Sequence, residues 1–84
     1  MTTLNTYTVS VQITLIEADG EEGNTDMDFE TFEASSDKQA LAIAPKKYNG
    51  KKNGGTEDYF LETLWAGDIN FALNHPNSYL EQYL

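Results

Sequence analysis

The chain has 84 residues, and its fourteen acidic side chains outnumber five lysines, with no arginine, to give a net charge of -9. A chain this acidic is repelled by nucleic acid and by anionic membranes and is attracted to basic surfaces, so we expect no direct nucleic-acid or membrane partner. Hydrophobic residues make up 39% of the chain and aromatic residues 12%, which excludes disorder over most of its length.

The first predicted element is a β-strand over residues 6–16. From Tyr7 to Leu15 every odd residue is apolar and every even residue is polar and uncharged. This period of two is typical of a strand with one buried face and one wet face. An acidic, glycine-containing loop is predicted for residues 17–25, and a second strand for residues 26–34.

The apolar residues of the second strand change phase. Met27 and Phe29 are odd, whereas Phe32 and Ala34 are even, so we expect a β-bulge near residues 30–31 that turns all four inward. The two strands then form an antiparallel hairpin. Its predicted buried face consists of Tyr7, Val9, Val11, Ile13, Leu15, Met27, Phe29, Phe32 and Ala34.

A helix over residues 36–44 is expected to cover this hairpin. Ser36 and Gln39 have the spacing of a capping box, in which each side chain bonds a backbone amide at the helix start. Pro45 disfavours helix in the residue before it, so the helix either ends there or continues, kinked, to Tyr48. Residues 46–55 form a loop that holds four of the five lysines and matches no phosphate-binding pattern; it is either solvated or in contact with the acidic residues.

The C-terminal segment, about residues 57–83, is predicted to be mainly helical. Its apolar residues at 60, 61, 64 and 65 have helical spacing, Asp68 is positioned to cap a short helix, and residues 78–81 form a second capping box. The alternative is a third β-strand at 58–66, because the strand-favouring residues Tyr59, Leu61, Thr63 and Trp65 occupy every second position. Either arrangement gives a single α+β domain over residues 1–84.

The acidic residues are concentrated in the hairpin. Eight of the fourteen lie between Glu17 and Glu33, with no basic residue among them. If Met27 and Phe29 point inward, the acidic residues between and beside them point outward, about 6.6–6.8 Å apart. We interpret them as a partner-binding surface, or else as a solvated face that protects a strand edge from aggregation. The candidate residues are Glu17, Asp19, Glu21, Glu22, Asp26, Asp28, Glu30 and Glu33.

Two further predictions concern aromatic residues and the facing strand. Trp and Tyr dominate binding hot spots, so Trp65, Tyr79 and Tyr83 are candidate interface aromatics. The polar row of the first strand contains no lysine, so we expect the acidic residues to remain unneutralised within the hairpin. That row consists of Thr8, Ser10, Gln12 and Thr14.

Catalytic and metal-binding chemistry has little support in the sequence. His75 is the only histidine, there is no cysteine, and no second residue completes a nucleophilic site around it. Counted from Asp19, the acidic loop departs from a calcium-binding loop at the fifth and sixth positions, which are Gly23 and Asn24. We therefore expect no enzyme activity, no cofactor and no metal ion.

In size, acidity and lack of a catalytic motif, the chain resembles small inhibitor proteins made by bacterial viruses, some of which imitate DNA. The resemblance is one of composition, and it implies a phage-encoded anti-defence protein, of the anti-CRISPR or anti-restriction kind. Its partner would be a nucleic-acid-handling protein with a basic surface. The alternative hypothesis is a small homo-oligomeric structural or accessory domain, such as a homodimer.

The sequence also predicts a location inside a cell. A small secreted domain usually carries disulfides, and this chain has no cysteine. No apolar run approaches the roughly 20 residues needed to cross a bilayer, and the first residues lack the layout of a signal peptide. We therefore expect a cytoplasmic protein, in the host cell if the source is viral.

Overall fold

The computed structural model describes residues 3–83, which form an α+β domain with one antiparallel sheet. In chain order the elements are β1 (Asn5–Ile16), β2 (Glu22–Ala34), α1 (Asp37–Lys47), β3 (Gly50–Lys52), a 3₁₀ turn (Asn53–Gly55), β4 (Glu57–Trp65), α2 (Ile69–Asn74) and β5 (Glu81–Gln82). The strand order in the sheet is β2-β1-β4-β3, and the short β5 pairs with β4 as well. The predicted hairpin packed on a helix is thereby confirmed.

The hairpin of β1 and β2 is more regular than predicted. Its register runs without a shift from Asn5 opposite Ala34 to Thr14 opposite Thr25, and the one irregularity lies between Thr14 and Ile16. The predicted bulge near residues 30–31 is therefore wrong. The predicted loop is also too long, because β2 already begins at Glu22. Gly20 makes the tight turn possible with a φ of +86°, a conformation that glycine adopts without strain.

Residues 57–65 are a strand, so the predominantly helical prediction is wrong and the alternative third strand is confirmed. The helix-like spacing of its apolar residues comes from a β-bulge at Glu62. Val11 is opposite Leu61 while Ser10 is opposite Thr63, so Glu62 is the extra residue. The extra residue turns both Leu61 and Leu64 to the same face. A spacing of three between inward leucines imitates a helix, although it arises from an interrupted strand.

Helix α1 covers one face of the sheet and continues through Pro45 to Lys47. Ser36 Oγ accepts the Gln39 amide at 3.1 Å, as the capping box predicts, while Gln39 Oε1 accepts the amide of Ser35 rather than that of Ser36. The buried core lies between this helix and the sheet. It contains Tyr7, Val9, Val11, Phe32, Ala34, Ala40, Ala44, Tyr48, Leu61 and Leu64.

The segment around α2 covers the other face of the sheet at the same end. Asp68 caps α2 by accepting the Phe71 amide at 2.9 Å, as predicted. Thr8 Oγ1 donates to the carbonyl of Gly67 at 2.9 Å, so this segment lies directly on the polar row of β1. Thr8 and Ser10 are buried, and the prediction that their face would be wet is wrong at this end.

Trp65 and the C-terminal strand complete the fold. The Trp65 ring lies 6.0 Å from that of Phe29, and its Nε1 donates to the carbonyl of Pro76 at 3.1 Å. The predicted final helical turn is instead β5, which returns to pair with β4.

Among residues 3–83, no helix is long and apolar enough to cross a membrane.

Candidate functional site

Three acidic residues of β2 lie on the same sheet face as the apolar row of β1. The register sets Asp26 opposite Ile13, Asp28 opposite Val11, and Glu30 opposite Val9. Their predicted position on the face opposite this apolar row is therefore wrong. Because β2 has no bulge there, buried Phe32 and Ala34 fix its phase, and all even residues of the strand share their face.

Met27 and Phe29 consequently point to the opposite face. Phe29 packs against Trp65 there, whereas Met27 is 57% exposed. The polar row of β1 lies beside these two residues and not beside the acidic ones. The acidic residues nevertheless have no lysine opposite them, since their neighbours on β1 are apolar.

The eight candidate acidic residues fall into three groups. We call Asp26, Asp28 and Glu30 the acidic edge, because they follow β2 along the outside of the sheet. Asp26 and Asp28 are exposed and Glu30 is half-buried. Glu33 is exposed on the other face of the strand. The remaining four, which we call the acidic tip, are exposed around the hairpin turn: Glu17, Asp19, Glu21 and Glu22.

The lysine-rich segment forms the opposite edge of the sheet. Lys51 is opposite Asp58 and Lys52 is opposite Glu57 across the β3–β4 pair. Facing opposite charges favour such cross-strand pairs. Because β1 and β4 separate β3 from β2, these two lysines are about 14 Å from the acidic edge at the usual strand spacing. The sheet is therefore acidic at the β2 edge, whereas the lysines of the β3 edge lie opposite acidic residues.

The acidic edge acts electrostatically on two tyrosines behind it. Burial, together with the charge of Glu30, raises the pKa of Tyr48 to about 12. Burial also raises the pKa of Tyr59, with contributions from the charges of Glu30, Glu57 and Asp28. Both shifts favour the neutral phenol, because a phenolate there would lie in a poorly solvated, negative environment.

Within residues 3–83 no strand pairs with the outer side of β2, so its backbone is open there. The Phe29 amide donates to the Oδ1 atom of Asp28 at 2.8 Å, and the Thr31 carbonyl accepts from the Tyr48 hydroxyl at 3.5 Å. Both backbone groups point away from β1. In an antiparallel ladder the backbone N–H and C=O groups of successive residues point to alternate sides of the strand. Thr25 and Met27 therefore also direct these groups outward.

A partly apolar row crosses the sheet on the face opposite α1. Gln12 has Met27 on one side and Phe60 on the other, and Phe60 is 46% exposed. Beside this row the Glu62 carboxyl group, only 7% exposed, accepts from Gln12 Nε2 at 3.2 Å through Oε2. Its Oε1 atom has no hydrogen-bond partner among the described residues. No local sequence pattern indicates Glu62 as a buried residue, since its burial depends on the bulge.

The candidate interface aromatics lie in different environments. Trp65 is buried, with 5% of its surface exposed, whereas Tyr79 is 42% exposed. Tyr83 is half-buried, and its hydroxyl has no hydrogen-bond partner in the described part of the chain. Of these three candidates, only Tyr79 presents a large aromatic surface to a partner.

An open cleft of about 410 Å³ lies at the start of β1, far from the acidic tip. Tyr7 in its wall donates to Asp37 Oδ1 at 2.8 Å. His75 lies elsewhere, with its ring 5.1 Å from that of Phe71. Among residues 3–83, no group of three His, Cys, Asp or Glu side chains is arranged to hold a metal ion. The cleft is lined by Asn5, Thr6, Tyr7, Asp37, Ala66, Gly67 and Asp68.

Comparison of the chain with models of protein families, with curated proteins and with solved structures finds no match.

Proposed function

We propose that this chain is a non-enzymatic binding protein that docks its acidic edge and acidic tip on a basic surface of a nucleic-acid-handling protein. One observation carries the proposal: the acidic edge lies on an outer strand, while Lys51 and Lys52 occupy the opposite edge of the same sheet. This separation makes the charge distribution of the sheet asymmetric. A basic partner is attracted to the β2 side, whereas the lysines of the β3 side lie opposite acidic residues of β4.

The spacing of the charges supports a partner that normally holds nucleic acid. Alternate residues of a strand are about 6.8 Å apart, and phosphates advance about 3.4 Å per nucleotide along one DNA strand. The acidic edge therefore carries charge at about half the linear density of a DNA strand. We infer competition for a basic groove, as in an inhibitor of the anti-CRISPR or anti-restriction kind acting inside the host cell.

The test compares two double variants with the same net charge. Asp26→Lys with Asp28→Lys reverses the acidic edge, and Glu33→Lys with Glu81→Lys makes the same charge change at exposed positions off that edge. Each immobilised protein is exposed to host-cell extract, washed at low and high salt, and then treated with duplex DNA. The unmodified protein should capture a nucleic-acid-binding protein that salt and DNA both release.

The edge variant should lose this capture and the control variant should retain it. Equal losses in the two variants would mean that only net charge matters, and the docking edge would be rejected. Capture that neither salt, DNA nor either variant reduces would reject the function as a whole.

A homo-oligomeric accessory domain is the second candidate. The open outer side of β2 and the exposed Met27 and Phe60 favour it, since exposed strand edges pair readily with other chains. Sedimentation analysis over a wide range of concentration distinguishes the two candidates. A monomer at every concentration would reject the oligomer.

A further inference from the structure

The outer edge of β2 has the features of a site for strand addition. We propose that the partner contributes a β-strand, with alternating basic and apolar residues, that pairs with β2 along its N-terminal half. This inference rests on the proposed function and specifies the secondary structure and sequence pattern of its ligand. The strand would extend the sheet to the order added strand-β2-β1-β4-β3, in the mode known as β-augmentation.

The backbone of β2 supplies the hydrogen bonds for such an addition. The outward direction of the Phe29 amide and the Thr31 carbonyl makes Thr25 and Met27 outward-facing as well. At the C-terminal end of β2 the Tyr48 hydroxyl donates to the Thr31 carbonyl. The backbone groups available to an added strand are therefore those in the half of β2 nearer the acidic tip. An added strand there would pair with residues 24–29.

The side chains of β2 determine the sequence pattern of the added strand. Asp26 and Asp28 direct their backbone groups toward β1, so on the outer side they belong to non-hydrogen-bonded pairs, in which facing side chains are closest. Basic residues fit opposite these carboxylates. Met27 points to the other face and is 57% exposed, so an apolar residue fits opposite it.

Asp28 has a second role at this edge. In the free protein its Oδ1 atom accepts the Phe29 amide and so covers one donor of the open edge, which is a way of limiting unspecific pairing. A lysine or arginine opposite Asp28 competes for this carboxylate and releases the amide for the incoming strand. Basic residues in the partner would thus both neutralise the edge and uncover it.

The test uses a synthetic octapeptide of alternating lysine and valine as the probe, with a control peptide of four lysines followed by four valines. Hydrogen exchange of the backbone amides is measured with and without each peptide. Strand addition should slow exchange at the Thr25 and Met27 amides by roughly tenfold or more at saturation, with the alternating peptide only. Exchange within α1 should not change.

Two variants separate backbone pairing from charge. Met27→Pro removes one outward N–H group, a change that edge strands tolerate, whereas Met27→Ala removes the side chain and keeps the donor. Relative to Met27→Ala, Met27→Pro should weaken binding of the alternating peptide by up to about tenfold, the value of one hydrogen bond. Circular dichroism verifies that both variants retain the sheet.

The outcomes distinguish this inference from the proposed function. Equal, salt-sensitive binding of both peptides without amide protection would overturn strand addition and leave an acidic docking surface. Unchanged exchange with no binding of either peptide would also overturn it, while the capture experiment with Asp26→Lys and Asp28→Lys decides the proposed function separately. Protection at Thr25 and Met27 with the alternating peptide alone would support it.

Discussion

The two ends of the β1–β2 hairpin share one ladder but have opposite environments. At the end that contains Tyr7 and Phe32, α1 covers one face and the α2 segment covers the other, so even Thr8 is buried. At the turn end, Leu15 and Met27 are exposed and the acidic residues begin. The alternating pattern of β1 continues across both ends. Burial therefore depends on which elements lie over a strand as well as on its own periodicity.

Element lengths explain why one end remains open. The 12 residues of β1 extend about 40 Å, whereas the 11 residues of α1 extend about 16 Å. One such helix, lying along the strand, covers less than half of it, and the 6 residues of α2 cover less still. Asp28 and Glu30 lie beside the covered residues Val11 and Val9, and they remain exposed and half-buried, respectively, because β2 is the outer strand of the sheet. This position avoids the strongly unfavourable burial of an unpaired charge.

The largest expected effect contrasts a core residue of the covered end with an exposed residue of the open end. Leu64 is fully buried in the core beside Val9, and Leu64→Ala should lower the free energy of unfolding by about 2–5 kcal/mol through lost burial and a residual cavity. Met27→Ala should change it by no more than about 0.5 kcal/mol. Urea unfolding measures both, and similar losses would mean that the open end contributes as much stability as the core.

The second effect is alkaline destabilisation at Tyr48, where the covered region meets the acidic edge. Its pKa is about 12 in the folded state, against an ordinary value of 10, so the folded state retains the proton that the unfolded state loses. This contribution to stability is complete below pH 10 and is lost as pH rises from 10 to 12. It is worth at most about 2–3 kcal/mol.

Tyr48→Phe should therefore reduce the fall in melting temperature between pH 9 and pH 11.5. The control is Tyr79→Phe, which removes a hydroxyl group at the surface, and it should leave that fall unchanged. If Tyr48→Phe and the unmodified protein lose the same stability over this range, the phenol is not held neutral by the fold.

Local signals in the sequence predicted much of this fold. The strand at 6–16, the helix that begins after Ser36 and the helix capped by Asp68 all follow from patterns within a few residues of chain. The strand at 57–65 was the weaker alternative for a physical reason: the Glu62 bulge gives Leu61 and Leu64 a spacing of three. That bulge exists only because β4 pairs with β1, and no local pattern reveals it.

The position of the acidic residues in the chain was predictable, but their face was not. A single buried face for all apolar residues of β2 requires a bulge near residues 30–31, which the strand lacks. The protein instead has two covered faces, with Phe32 packed under α1 and Phe29 packed on Trp65. A second apolar cover, supplied by the distant α2 segment, reverses the face assigned to Asp26 and Asp28.

The smallest expected effect has opposite signs at the two edges of the sheet. Asp28→Asn removes one of three neighbouring like charges and keeps the oxygen that accepts the Phe29 amide, so it should raise stability by a few tenths of a kcal/mol at low salt. Asp58→Asn removes the partner of Lys51 across the β3–β4 pair and should lower stability by a similar amount. Thermal unfolding at low salt and at 1 M salt measures both, and both differences should shrink at high salt because the screening length falls to about 3 Å. If the two variants shifted stability in the same direction, the division of the sheet into a repulsive acidic edge and a compensated basic edge would be wrong.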